Sequence, residues 1–90
     1  MTRNVSITLQ NNDEARGIVA AIAEDNSEAI LTELPSLVKI DCPGKLTINK
    51  ETVEQQIGRE WDVQELQLSL ISLAGEVDED DDYFTLEWHQ

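Results

Sequence analysis

The chain has 90 residues, and 6 basic against 19 acidic residues give it a formal net charge of −13 at pH 7. This sign excludes a protein that binds nucleic acid or anionic membranes by charge neutralisation. The hydrophobic share of 40% is enough for a core, the single cysteine excludes an internal disulfide, and no apolar run approaches a membrane span. We therefore expect one soluble, cytoplasmic domain over residues 1–90, with neither nucleic acid nor membrane as a partner.

The first third of the chain predicts a strand, a helix and two short strands. Val5, Ile7 and Leu9 alternate with polar residues, which is typical of a half-buried strand. Side-chain oxygens over 11–13 can cap a helix that ends near 25–27. The helix is predicted from apolar residues at helical spacing: Ala15, Ile18, Val19, Ile22 and Ala23. Strands follow over 29–34 and 37–41, separated by Pro35.

A turn and a second helix are predicted in the middle of the chain. Cys42-Pro43-Gly44-Lys45 fits a type II turn, because proline presets φ and glycine tolerates a positive φ. We expect this turn to join strands 37–41 and 46–48 as a hairpin. Asn49 then resembles an N-cap, and a short helix is predicted from Lys50 to Ile57, with Gly58 after its end.

The last third predicts a break in a strand. Asp62 and Glu65 have the spacing of a capping box, which indicates a single helical turn. Leu66, Leu68 and Leu70 then alternate as in a strand, but the next apolar residues are Ile71 and Leu73. This change of phase predicts a bulge or a strand end near 70–72. Gly75 begins a final hairpin whose second strand has Phe84, Leu86 and Trp88 on one face.

The predicted element order is β-α-β-β-β-α-β-β-β. Apart from one additional strand, it divides into two successive β-α-β-β halves without a Gly- or Ser-rich linker between them. We therefore predict the α+β class, a single small domain with two helices on a mostly antiparallel sheet.

Cysteine and histidine occur only once each, and the carboxylates are so numerous that their pairing does not point to a particular site. The acidic run from Glu76 to Asp82 does not match a calcium-binding loop, so a solvated loop is favoured. Cys42 is expected to be an ordinary turn cysteine, and the penultimate His89 is a poor general base. We expect no metal and no organic cofactor. A small enzyme that uses Asp62 and Glu65 as acid and base is an alternative.

The order of several segments resembles the small regulatory (effector or coupling) components of bacterial multicomponent diiron monooxygenases, most of all the phenol hydroxylase branch. The resemblance covers essentially the whole chain. It consists of a glycine turn, a helix that ends in Ile-Gly-Arg, an aromatic residue, and a strand that ends shortly before a glycine. In this sequence these features are Gly44-Lys45-Leu46-Thr47-Ile48, the run from Glu51 to Arg59, the run from Trp61 to Leu66, and Ser72-Leu73-Ala74-Gly75.

This resemblance implies a regulatory protein that is not an enzyme and carries no cofactor. Such a protein binds the hydroxylase component, which houses the diiron centre, and promotes coupled hydroxylation of phenol or another aromatic compound by altering active-site access. Competition with a reductase for overlapping surface is left open. The alternative function is a generic acidic interaction module, or an inhibitor of an unrelated partner.

The resemblance also implies a partner-binding segment just before Gly75, formed by Ser69, Ile71, Ser72 and Leu73. In the methane-oxidising branch this segment is more polar than it is here. A bulge that keeps Ile71 and Leu73 buried is the alternative interpretation of the same pattern. Arg59 and Trp61 form a second candidate patch, because both residue types are enriched in interface hot spots, although a tryptophan after a helix end is more often in the core.

Overall fold

The computed structural model describes residues 3–88, so His89 lies outside the described residues. Within this range the chain forms seven strands, two α-helices and a 3₁₀ helix, and the predicted order of strands and α-helices is confirmed. The elements are β1 (Asn4–Gln10), α1 (Asp13–Asp25), β2 (Ile30–Glu33), β3 (Leu37–Pro43), β4 (Lys45–Asn49), α2 (Lys50–Ile57), the 3₁₀ helix (Val63–Leu68), β5 (Leu70–Ala74), β6 (Glu76–Glu79) and β7 (Tyr83–Glu87).

The strands form two sheets, not the one sheet that the sequence predicts. The first sheet has the order β2-β3-β1-β5, and the second has the order β4-β7-β6. All five strand pairs are antiparallel. The α+β class and the antiparallel pairing are therefore confirmed, and the final hairpin is confirmed as β6–β7.

The predicted hairpin across Gly44 is wrong. A strand has two hydrogen-bonding edges, and β3 uses both of them for β1 and β2, so no edge remains for β4. The chain instead passes from the first sheet to the second at Gly44, whose φ is 76°, and β4 pairs with β7. Gly75, with a φ of 140°, makes the equivalent passage from β5 to β6. Positive φ at both passages suits glycine, which has no Cβ.

The predicted strand over Leu66–Leu70 is also wrong in its first half. The residues from Val63 to Leu68 form the 3₁₀ helix, and the strand begins only at Leu70. The helix starts with the predicted capping box. Oδ1 of Asp62 accepts from the Gln64 N–H at 2.9 Å, and Oε2 of Glu65 accepts from the Asp62 N–H at 2.8 Å. These local hydrogen bonds determine the conformation, although the leucine spacing alone favours a strand.

Helix α1 packs on one face of the first sheet and contacts β4 of the second. Its N-cap is Asn12, whose Oδ1 accepts from the Ala15 N–H at 2.8 Å. The buried stripe is rotated slightly from the predicted one, because Ala21 is buried and Ala23 is exposed. The core beneath the helix contains eighteen buried apolar side chains among the described residues, with Ile7, Leu9, Ile40, Leu46 and Leu86 among the most buried.

The contact between α1 and α2 depends on the missing side chain of Gly17. A Cβ placed on Gly17 would overlap Cγ2 of Ile57, the last residue of α2. The sequence suggests only that Gly17 weakens α1, since glycine lowers helix propensity. The structure gives it a packing role, because it lets the two helices approach closely.

We predict that Gly17→Ala lowers the free energy of unfolding by about 1–3 kcal/mol, the usual cost of overpacking. An exposed helix position would respond in the opposite direction and gain about 1 kcal/mol. Urea unfolding measures the difference. Combining Gly17→Ala with Ile57→Ala should destabilise the protein by less than the sum of the two single changes. A stabilised single variant would contradict the close approach.

Candidate docking surface

Strand β5 lies at an edge of the first sheet and contains the predicted bulge. It pairs with β1 through Ser6–Ala74, Ile7–Leu73, Thr8–Ser72 and Leu9–Leu70. Two consecutive residues of β1 therefore face residues 72 and 70 of β5, and Ile71 is the extra residue between them. The change of apolar phase in the sequence is thus confirmed as a bulge.

The bulge exposes part of the predicted partner-binding segment. Ile71 is 49% exposed, and Ser72 is also exposed. Leu73 is half-buried and packs against the core. The alternative interpretation was a bulge that keeps both Ile71 and Leu73 buried. It is wrong for Ile71 and partly correct for Leu73. Ile71 and Ser72 remain candidates for contact with a partner.

Ser69 does not lie on the surface. It is fully buried at the end of the 3₁₀ helix, where its N–H donates to the Leu66 carbonyl at 3.1 Å and its carbonyl accepts from the Gln10 N–H at 2.8 Å. Its hydroxyl oxygen is buried and has no hydrogen-bond partner. The prediction of Ser69 as a contact residue is corrected, because its backbone connects the 3₁₀ helix to the end of β1.

Trp61 is a core residue. Only 2% of it is exposed, its N–H donates to Oε2 of Glu54 at 2.9 Å, and its indole nitrogen is buried without a partner. Because this side chain is buried, the prediction of Trp61 as a contact residue is corrected. The alternative, a core position for a tryptophan after a helix end, is the one observed.

Arg59 is exposed and bridges three elements. Its guanidinium lies 3.6 Å from Glu14 of α1 and 3.5 Å from Glu65 of the 3₁₀ helix, and it donates to the Glu60 carbonyl at 2.7 Å. Because the pairs are exposed, they contribute little to global stability. These ion pairs link the segment after α2 to helix α1 and to the 3₁₀ helix that ends at Leu68. Arg59 therefore has an intramolecular role, and its contact with a partner stays a prediction.

Leu68 is an exposed residue that the sequence pattern does not identify. It is 67% exposed, the highest value among the exposed large hydrophobic residues of the described chain. The alternation of Leu66, Leu68 and Leu70 suggests that Leu68 points inward. In the 3₁₀ helix, Leu66 is buried while Leu68 faces solvent. The signal that identifies it is the capping box at Asp62, which predicts a helical turn in place of a strand.

The groups considered for chemistry serve structural roles or lie in solvent. The carboxylates of Asp62 and Glu65 accept backbone hydrogen bonds in the capping box, which weakens the enzyme alternative. Burial, and then the charge of Glu28, raises the pKa of the Cys42 thiol. The carboxylates of Asp78 and then Asp80 raise the pKa of Tyr83 in the acidic hairpin.

Over residues 3–88 there is no group of three or more His, Cys, Asp or Glu side chains arranged to hold a metal ion. In the same residues no helix is both long enough and apolar enough to cross a membrane.

Comparison with known proteins assigns the chain to a family. The model of the MmoB/DmpM family matches residues 3–87. The chain belongs to this family. It is 47% identical over 88 residues to the phenol 2-monooxygenase stimulatory component DmpM of Pseudomonas sp. (strain CF600), covering 98% of each chain. The resemblance identified in the sequence is thereby confirmed.

Solved structures agree with this family. A chain from a phenol hydroxylase–regulatory protein complex superposes with a TM-score of 0.91 at 46% identity, covering 97% of this chain and 100% of that one. A second such complex gives 0.88 at 43% identity, with 96% and 100% covered. The soluble methane monooxygenase regulatory protein B shares the fold, with a TM-score of 0.75 at 16% identity, and this chain spans 65% of its length.

We predict that Trp61 behaves as a core residue in solution. In a Trp88→Phe variant, acrylamide should quench the fluorescence of Trp61 poorly, because the side chain is buried. Trp61→Ala should lower the free energy of unfolding by about 3–5 kcal/mol. A Trp61→Phe variant, which retains the half-buried Trp88, serves as the control and should be quenched more readily. Strong quenching of Trp61 would contradict its core position.

Proposed function

We propose that this protein is the non-catalytic, cofactor-free regulatory component of a cytoplasmic phenol or aromatic monooxygenase. It acts as a single domain over residues 1–90, binds the diiron hydroxylase component, and promotes coupled hydroxylation by altering access to the active site. The named relatives support the partner, since they include a phenol monooxygenase stimulatory component and chains of hydroxylase–regulatory protein complexes. The exposed apolar pair Leu68 and Ile71 is the structural observation that carries the proposal.

The surroundings of Leu68 and Ile71 favour a docking role over incidental exposure of hydrophobic side chains. Leu68 is the last residue of a 3₁₀ helix that begins with a capping box, and Ile71 is the extra residue of a bulge whose neighbours Leu70 and Ser72 pair with β1. Both positions are therefore set before a partner arrives, which reduces the entropy lost on binding. Complete burial of each side chain would contribute about 1.5–3 kcal/mol.

The mechanism follows from binding linkage. A protein that binds the hydroxylation-competent state of its partner more tightly than the resting state shifts that equilibrium by the difference between the two affinities. The regulator then needs no reactive group of its own. Its net charge of −13 would accelerate encounter with a basic surface and make association weaker as salt concentration rises.

We predict that hydroxylation by the hydroxylase and reductase saturates at a stoichiometric ratio of this protein, because each hydroxylase site binds one regulator. Steady-state turnover measured during a titration tests this. Excess regulator should inhibit if it competes with the reductase. A linear response without saturation would contradict stoichiometric docking, and turnover by the isolated chain would contradict a regulatory role.

We predict that Leu68→Asp and Ile71→Asp each weaken hydroxylase binding at least ~10-fold, because each removes an apolar contact and adds a charge that must lose its water. Calorimetric titration measures the affinity. Val77→Asp is the matched control, since Val77 is 47% exposed but lies in β6 of the other sheet. It changes the net charge equally, so equal weakening by all three variants would indicate a general charge effect and argue against this docking segment.

A further inference from the structure

The first sheet has an open face that continues from Ser72 across all four strands. Thr32, Lys39, Thr8 and Ser72 are successive cross-strand neighbours from β2 to β5. Ile30, Asp41, Ser6 and Ala74 form the adjacent row. In β1 and β3 these residues alternate with the buried residues under α1, so they lie on the opposite face of the sheet. Their cross-strand neighbours in β2 and β5 share that face through the register. All eight are exposed or half-exposed.

The charge of this face differs from that of the rest of the protein. Among the eight residues the only charged ones are Lys39 and Asp41, whose Nζ and Oδ1 atoms lie 3.8 Å apart. The face is therefore neutral, although the whole chain has a net charge of −13. The acidic residues of the β6–β7 hairpin lie on the other sheet. The centres of protein interfaces are depleted in charged residues, and this is the pattern that the face shows.

The shape of the face also suits a protein partner. Most of its side chains are Ser, Thr or Ala, which are short and lose little rotamer entropy when they are covered. Ile30, which is 60% exposed, lies on the edge strand β2, and Ile71 lies on the opposite edge strand β5. A neutral surface is thus bordered by an exposed isoleucine at each edge, and through Ser72 it is continuous with the candidate surface around Ile71.

We propose that the hydroxylase component covers this whole open face, from Ser72 to Thr32, and not only the segment near Leu68 and Ile71. The inference rests on the proposed function and extends it to three further strands. The part of the hydroxylase that lies against the face is a weakly charged surface able to hydrogen-bond hydroxyl groups. The acidic hairpin lies outside the contact and acts on the encounter rate.

A pair of lysine substitutions tests the proposal. Lys39→Glu and Lys45→Glu each change the net charge from −13 to −15, and both lysines are exposed on strands, but Lys45 lies in β4 of the second sheet. Lys39→Glu should raise the dissociation constant for the hydroxylase at least ~10-fold, because two carboxylates would then be desolvated together. Lys45→Glu should raise it less than ~3-fold. Equal effects of the two variants would overturn the proposal.

Footprinting of the wild-type protein gives a second test that does not depend on any variant. Acetylation of lysines in the free protein and in the complex with hydroxylase is followed by mass spectrometry. Lys39 should be protected in the complex while Lys45 stays reactive, and unchanged reactivity of Lys39 would overturn the proposal. If the wild-type protein fails to bind hydroxylase at all, the proposed function fails as well. Binding without protection of Lys39 refutes only the extended face.

Discussion

The candidate surface depends on the antiparallel pairing between β1 and β5. This pairing joins the first strand of the chain to residues more than sixty positions later, and it creates the edge on which Ile71 and Ser72 lie. The buried Ser69 extends the same pairing, since its carbonyl accepts from the Gln10 N–H. The bulge follows from the pairing as well, because β5 has one residue more than β1 in this register. This long-range strand pairing therefore sets both the position and the exposure of Ile71 and Ser72, which belong to the candidate docking surface.

The two glycine passages explain why the surface stays open. At Gly44 and Gly75 the chain leaves the first sheet and enters the second, so β4 and β6 do not extend the first sheet. A Cβ on Gly75 would lie 3.1 Å from Cγ1 of Val5, which places this passage directly against β1. Helix α1 covers one face of β1 and β3, and the three remaining strands of the described residues form the second sheet. The other face of the first sheet is consequently left to solvent.

Local patterns predicted the elements well, whereas contacts between distant residues could not be predicted from them. The helix bounds at Lys50–Ile57 and the bulge near residue 71 were predicted from residue type and apolar phase, which are local signals, although the Asn49 side chain makes no capping hydrogen bond. The hairpin at Gly44 was wrong because pairing depends on which strand edges are already occupied. Leu68 was missed because two local patterns make opposite predictions. The leucine alternation favours a strand, whereas the capping box at Asp62 favours a helical turn, and the structure has the helical turn. Ser69 is buried by tertiary packing, which residue type alone does not indicate, whereas a core position was already the commoner expectation for Trp61.

Charge and the proposed docking face are separated in this fold, and that separation would let a strongly acidic protein bind another protein closely. Placing many carboxylates in an interface would require their desolvation. The free energy of desolvation exceeds the gain from ion pairing unless each carboxylate has a cationic partner. Here the acidic hairpin belongs to the second sheet, and the open face of the first sheet has only the Lys39–Asp41 pair. In the proposed complex the hairpin would attract a basic partner from a distance, while neutral and apolar side chains would make the contact. Salt should therefore affect the rate of association more than the rate of dissociation.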